Sequence, residues 1–450
     1  MGRTIEVDRD LARLEDDLDS FDCSRRRQAL AALQDKVQRG RVALHPSAGR
    51  VNLHCHTFFS YNARGYSPTR FAWLARRAGL DVAGIVDFDV LDGCEEFLDA
   101  GRLLGLKTCV GMETRVYVPE FADCVINSPG EPGISYHMGV GFPTAKLKGE
   151  PAEFLARLRK TSETRNRDLV GRVNEYLRPV ALDYDDDVLP LTPAGNATER
   201  HICLAYARKA HSVLRNQDDL ASFWADKLSA DPEELDLPEG VKLQALIRLK
   251  TMKRGGVGYV QPDSGSFPWM TETNRFILEA GGIPTHTWLD GTSEGESRIE
   301  ELLEAAMSTG VAAINVIPDR NYTAGQPGSK LANLRQVVAV AGELDLLVVS
   351  GTEMNSPGQP FVDDLDSAEL APIAPAFLES AHAIYAHSVL QRQAGLGYAS
   401  EWAQRHFPKR ADRNEFFAEV GARLRPSRED LLGNLDGDAM PRAVLEGLRD

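Results

Sequence analysis

Two histidines separated by one residue, at the end of a short apolar run, are the groups in this chain best suited to do chemistry: Val51-Asn52-Leu53-His54-Cys55-His56-Thr57. Side chains alternate between the faces of a strand, so His54 and His56 would point the same way and could chelate one divalent cation. Other apolar runs also end on a histidine or a carboxylate. They are Ile85-Val86-Asp87-Phe88-Asp89, Cys109-Val110-Gly111-Met112-Glu113, Ile134-Ser135-Tyr136-His137, Ile283-Pro284-Thr285-His286 and Val348-Val349-Ser350-Gly351-Thr352-Glu353. A barrel that gathers its site at the C-terminal ends of its strands reads in this way. Imidazole and carboxylate donors suit Zn, Mn or Fe, and nothing in the sequence chooses among them.

The elements that must position these residues are legible around them. Ser67-Pro68 opens a helix, with proline tolerated in its first turn, and Gly79 closes it. A second helix spans 94–104. After it come helices around 274–280, 298–309 and 330–341, with strands at 312–317 and 346–350 between and after them. Alternating β and α units of this length predict a parallel sheet or barrel. The rhythm stops near Gly149. We therefore divide the chain into a helical N-terminal extension (1–49), a first barrel part (50–149), an inserted helical subdomain (150–271), a second barrel part (272–366) and a helical C-terminal extension (367–450).

The chain has 450 residues, 43% of them apolar and 26% charged, which is ample for a barrel with an insert. A formal charge of −15 argues against a protein that coats nucleic acid, which needs basic surface to displace counterions. The six cysteines form no CxxC pair and read as reduced thiols. No apolar run reaches membrane-spanning length, and the acidic N-terminus does not read as a signal or transit peptide. The expectation is a cytoplasmic protein with no membrane or nucleic-acid partner. His45, His211, His382, His387 and His406 read as surface or core histidines, and Arg320 and Lys250 as solvated cations.

In order, spacing and strand context, these segments resemble the polymerase and histidinol phosphatase (PHP) superfamily of metal-dependent phosphoesterases. Val51–Ser60 looks like its "DLHxHT…S" motif, Ile85–Asp89 like "TDHD", and Gly111–Glu113 like "GxE". Tyr136-His137 matches its "H" strand, Ala280–His286 is similar to "AGGxxxAHP", and Ser350–Asn355 to the closing "GSDxH". The resemblance implies a distorted (β/α)7 TIM-like barrel, an α/β fold. It implies one ion on His54, His56, Glu113 and Glu353, with Glu in place of the family's Asp at the last position. A second ion would use Glu113 with His137 and His286. The ligands of the family's third ion are replaced together, by Tyr61 or Asn62, Phe88 and Asn355. The expectation is thus two divalent transition metal ions bridged by Glu113 and a hydroxide that they help to generate.

Asp87 and Asp89 are candidates to orient ligands or accept a proton. Glu199–Ala205 is loosely similar to the "GRPHIAxAL" stretch of small-molecule phosphatases in the superfamily, which makes Arg200 and His201 candidate substrate-binding residues. The leading expectation is a phosphoesterase acting on a small phosphorylated metabolite. The alternatives are hydrolysis of a non-phosphate ester, amide or lactone, or a non-catalytic binding or regulatory protein with the same barrel.

Overall fold

The computed structural model describes residues 2–322 and 328–448. Seven strands form one sheet in sequential order: β1 (Arg50–Cys55), β2 (Leu80–Phe88), β3 (Lys107–Tyr117), β4 (Ile134–Val140), β5 (Ile283–Thr287), β6 (Ala313–Val316) and β7 (Leu347–Ser350). The result is an α/β fold with a nearly closed, barrel-like sheet and many helices. The rim closes through a parallel bridge between Cys55, at the end of β1, and Glu353, just past β7. Close approach there depends on Gly351, where a Cβ would sit 2.4 Å from the His54 backbone nitrogen and 2.5 Å from Asn52 Oδ1.

The parallel expectation holds for β1–β2–β3 and for β5–β6–β7, but not for β4. That strand runs antiparallel to both of its neighbours. The cause lies in the connection: residues 118–133 hold only the 3-10 turn Pro119–Phe121. With no crossover helix to carry the chain back along the sheet, β4 returns beside β3 as a hairpin does.

Elsewhere, helices occupy the crossovers for local reasons. Ser67 caps the helix Pro68–Ala78, its Oγ accepting from the Arg70 backbone N–H at 2.9 Å. Gly79 ends that helix at φ 72°, and a Cβ there would meet the Pro46 carbonyl oxygen at 2.3 Å. The helices Cys94–Leu104, Met270–Glu279, Ile299–Ser308 and Ser329–Glu343 fall where the apolar spacing put them. The helix Ala374–Ala394 packs against β1, β2, β3 and β7, and its residues from Ala383 to Leu390 are all buried. Among the described residues no helix is long and apolar enough to cross a membrane.

The chain divides into two compact units. One comprises 1–57, 62–152 and 264–450; the other comprises 58–61 and 153–263. The second unit is helical, with Glu199–Val213, Gln217–Leu228 and Val241–Ile247 among its helices. It has its own core, which includes Val173, Ile202, Tyr206, Trp224 and Leu243.

Candidate metal centre

β1 delivers His54 and the residue after it leads to His56, both with no exposed surface; β3 delivers Glu113, 2% exposed. His54 Nε2 and His56 Nε2 lie 3.3 Å apart, and they stand 3.6 and 3.3 Å from Glu113 Oε2. That oxygen has no aligned hydrogen-bond donor. Three lone-pair donors thus converge on one buried point, and these are the groups that could hold a metal ion. Beyond them, Asn315 on β6 places its Oδ1 3.2 Å from His54 Nδ1. This fixes the tautomer that leaves Nε2 as the ligand atom.

Burial would raise the Glu113 carboxyl, but the two imidazoles outweigh it and hold the group down at about 2. Burial likewise opposes a charge on His54, and Glu113 together with Glu353 overcomes it and raises the pKa. The cluster is a carboxylate that demands a cation beside it. The donor set fits a divalent ion.

The segment after β7 locks the histidines in place. Glu353 donates its N–H to the His54 carbonyl at 2.7 Å and accepts the His56 N–H on its own carbonyl at 2.8 Å, with φ at 58°. Its side chain goes elsewhere: Glu353 Oε2 accepts from Arg320 Nε at 3.2 Å, Arg320 Nη2 at 3.1 Å and Gln359 Nε2 at 3.1 Å. Gln359 also lines a cleft of about 180 Å³ together with Arg64, Met354 and Ser356.

His137 and His286 do not join Glu113. Residues directly opposite in an antiparallel ladder share a face. Glu113 is opposite Met138, whereas His137 is opposite Thr114 and His286 is opposite His137. Both imidazoles therefore lie on the other face of the sheet, where Asn274 of the helix Met270–Glu279 places its Oδ1 2.5 Å from His137 Nε2. Burial pushes His137 down to about 4 and His286 down to about 3. Tyr136 and Thr285 take the inward positions instead. The expected second ligand set is absent from the Glu113 face because β4 and β5 present the neighbouring residues to it.

The positions of the missing third set are filled by other work. Phe88 stacks on His56, with ring centroids 4.4 Å apart. Asn62 Nδ2 donates to the His56 carbonyl at 2.7 Å, and Asn355 Oδ1 accepts from Ser356 Oγ at 3.3 Å. Asp87 accepts from the Thr57 N–H at 2.8 Å and from Thr57 Oγ1 at 2.7 Å, which fixes the turn after His56. Asp89, at φ 59°, accepts from Thr114 Oγ1 at 2.6 Å and donates its N–H to the Glu113 carbonyl at 2.9 Å.

Arg200 and His201 belong to the second unit. Arg200 lies over the Tyr61 ring at 5.9 Å, and His201 Nδ1 accepts from the Thr198 N–H at 3.1 Å as part of a capping box. The sequence did not place Asn315, Tyr136 or Gln359 at the site, and Arg320, expected from it to be a solvated cation, is instead paired with the buried Glu353. Asn315 is a polar residue interrupting the apolar run Val311–Ile317, which was a usable signal; Arg320 carried none.

No protein-family model matches the chain, and no curated protein matches it. Two solved structures are similar in fold. An amidohydrolase from Chromobacterium violaceum, with bound sulfate and no metal, is 16% identical with a TM-score of 0.45, covering 73% of this chain and 96% of its own. A protein named as a metal-dependent phosphoesterase from Bifidobacterium adolescentis is 18% identical with a TM-score of 0.47, covering 74% of this chain and 98% of its own. The class that fold and site define is a barrel-like α/β protein with a buried His–His–Glu group fitted to a metal ion.

Proposed function

We propose that this protein is a metal-dependent hydrolase acting on a small phosphorylated metabolite. A single divalent transition metal ion would be held by His54, His56 and Glu113. The observation that carries this reading is the convergence of two buried Nε2 atoms on an unsatisfied Glu113 Oε2. The motif resemblance to the PHP superfamily supports it. Bound there, a divalent ion supplies Lewis acidity, easing deprotonation of water and neutralising charge on a substrate oxygen. The chain's own residues do the rest. Asn315 orients His54, and Asp87 holds the turn beyond His56. Phe88 covers one face of His56 and keeps it dry.

Hydrolysis of a non-phosphate ester, amide or lactone is the second reading. The register of β4 and β5 favours it, because it leaves ligands for one ion, and phosphoryl transfer makes use of every cation within reach. Protein purified without chelator should be analysed for metal and assayed on p-nitrophenyl phosphate, p-nitrophenyl acetate and a panel of phosphorylated metabolites. Close to one ion per chain is expected, with phosphatase activity lost on chelation and restored by the metal. Activity on the acetate alone would move the function to the second reading. Metal-loaded protein without turnover on any of these would leave a binding protein.

A further inference from the structure

Glu353, expected from the sequence as a metal ligand, spends one carboxylate oxygen on three donors from Arg320 and Gln359. The pair straddles the boundary of the site. Glu353 is 4% exposed, while the Arg320 side chain is 42% exposed. The turn that carries Arg320 is anchored. Arg320 sits in the short turn Pro318–Asn321, just beyond β6 and Asn315, and Asn321 Nδ2 fastens that turn to the Leu289 and Ile317 carbonyls at 2.7 and 3.0 Å. Its partner is fastened through the backbone to both His54 and His56. A guanidinium has five N–H donors in a planar fork, and among the described residues Arg320 gives hydrogen bonds only to Glu353, through Nε and Nη2.

We propose that Arg320 is the anion-binding residue of this centre. Held by Glu353 beside the His54–His56–Glu113 group, it takes the charge-neutralising place of a second metal ion and selects substrates that carry a phosphate. The proposal rests on the metal-hydrolase reading above and deepens it. A fork of donors matches two phosphate oxygens at once. Phe88, which stacks on His56, contributes no charge, and His137 and His286 face the other way, so Arg320 is the fixed cation these elements bring to Glu353. Glu353 orients the fork and lowers its net charge, so the two side chains have opposite effects on an incoming anion.

The test is calorimetric binding of inorganic phosphate to metal-loaded full-length protein, with metal content measured on each sample. Wild type should bind phosphate, and Arg320→Met should weaken binding by roughly tenfold or more at unchanged metal content. Arg320→Lys keeps the charge and loses the fork; it should give an intermediate weakening, and it serves if methionine is not tolerated. Glu353→Gln should keep the metal and tighten phosphate binding, a change of sign that general damage to the fold would not produce. Metal-loaded wild type that ignores phosphate, an Arg320→Met protein that binds it normally, a Glu353→Gln protein that binds it more weakly, or loss of metal from that variant would each overturn the proposal. Wild type that binds no metal would overturn the underlying reading instead.

Discussion

A carboxylate 2% exposed between two imidazoles carries a heavy desolvation cost unless positive charge compensates it. In the metal-free protein a proton on His54, whose pKa is raised against the effect of burial by Glu113, can do so, and a divalent ion carries more charge to the same point. Glu113→Gln keeps the shape and removes the charge, so metal affinity should fall sharply. Hydrolysis should fall by about a hundredfold or more, the cost typical of losing one stabilising group in a transition state. His54→Ala should do the same. The measurement is metal content by elemental analysis alongside kcat/KM, and an Asn315→Ala protein should lie between these variants and wild type, since it frees the His54 ring without removing a ligand.

At the scale of elements, strand direction and register decide which residues reach the site, and the sequence displays these poorly. The run Ile134-Ser135-Tyr136-His137-Met138 does not alternate, and all of it except Tyr136 is buried. Either Tyr136 or His137 could have faced inward. Only the hairpin connection and its register with β3 choose Tyr136. The HxH pair and Glu113 were legible because β1, β2 and β3 run parallel, with β1 ending at the site and Glu113 level with Phe88, the end of β2. The left-handed turn at Glu353, which sends its carboxylate to Arg320, had no local signature beyond a glycine two residues earlier.

Two expectations test this placement. His137→Ala should leave metal content unchanged. It should cost about 1–3 kcal/mol of stability by stranding the Asn274 carbonyl, read from denaturant unfolding. Gly351→Ala forces a Cβ against the His54 backbone, so it should cost about 1–3 kcal/mol or more and also loosen metal binding.

For the molecule as a whole, buried ionisable groups set an acid limb. In the helical unit, burial holds His201 down at about 4, below the ordinary 6.5 of an exposed histidine. Between those values the unfolded chain binds the extra proton, so stability falls as pH drops from about 6.5 to 4, by about 1.4 kcal/mol per pH unit at most. Glu199 extends the loss. Burial would raise its pKa, but Lys253 and Arg248 outweigh burial and hold it at about 2, so its contribution disappears as pH falls from 4.5 toward 2. The first unit contains groups of both signs: His137, His286 and Glu113, all held low, lose stability on acidification as His201 and Glu199 do, and two buried carboxyls oppose them. Burial raises Asp363 to about 8 and Asp19 to about 6, and both favour the folded state at lower pH. Hydrogen exchange resolved by segment should show residues 153–263 losing protection as pH falls from 6.5 to 4, and His201→Gln should flatten that dependence.

The pairing of β4 with β5 joins Val140 to Ile283 across the whole insert. As a bare chain, that loop would carry a large closure entropy and a high contact order, both of which slow folding. The insert has its own core, and Arg172 Nη2 clasps the Gly258 carbonyl at 2.9 Å, so its beginning and end are tied together within it. Once that unit has formed, the length the barrel must close is much shorter. The order we expect is helices first, then the antiparallel joint, then the rim at Cys55 and Glu353. A core substitution such as Trp224→Ala, remote in sequence from every strand, should therefore slow refolding of the sheet rather than merely speed its unfolding.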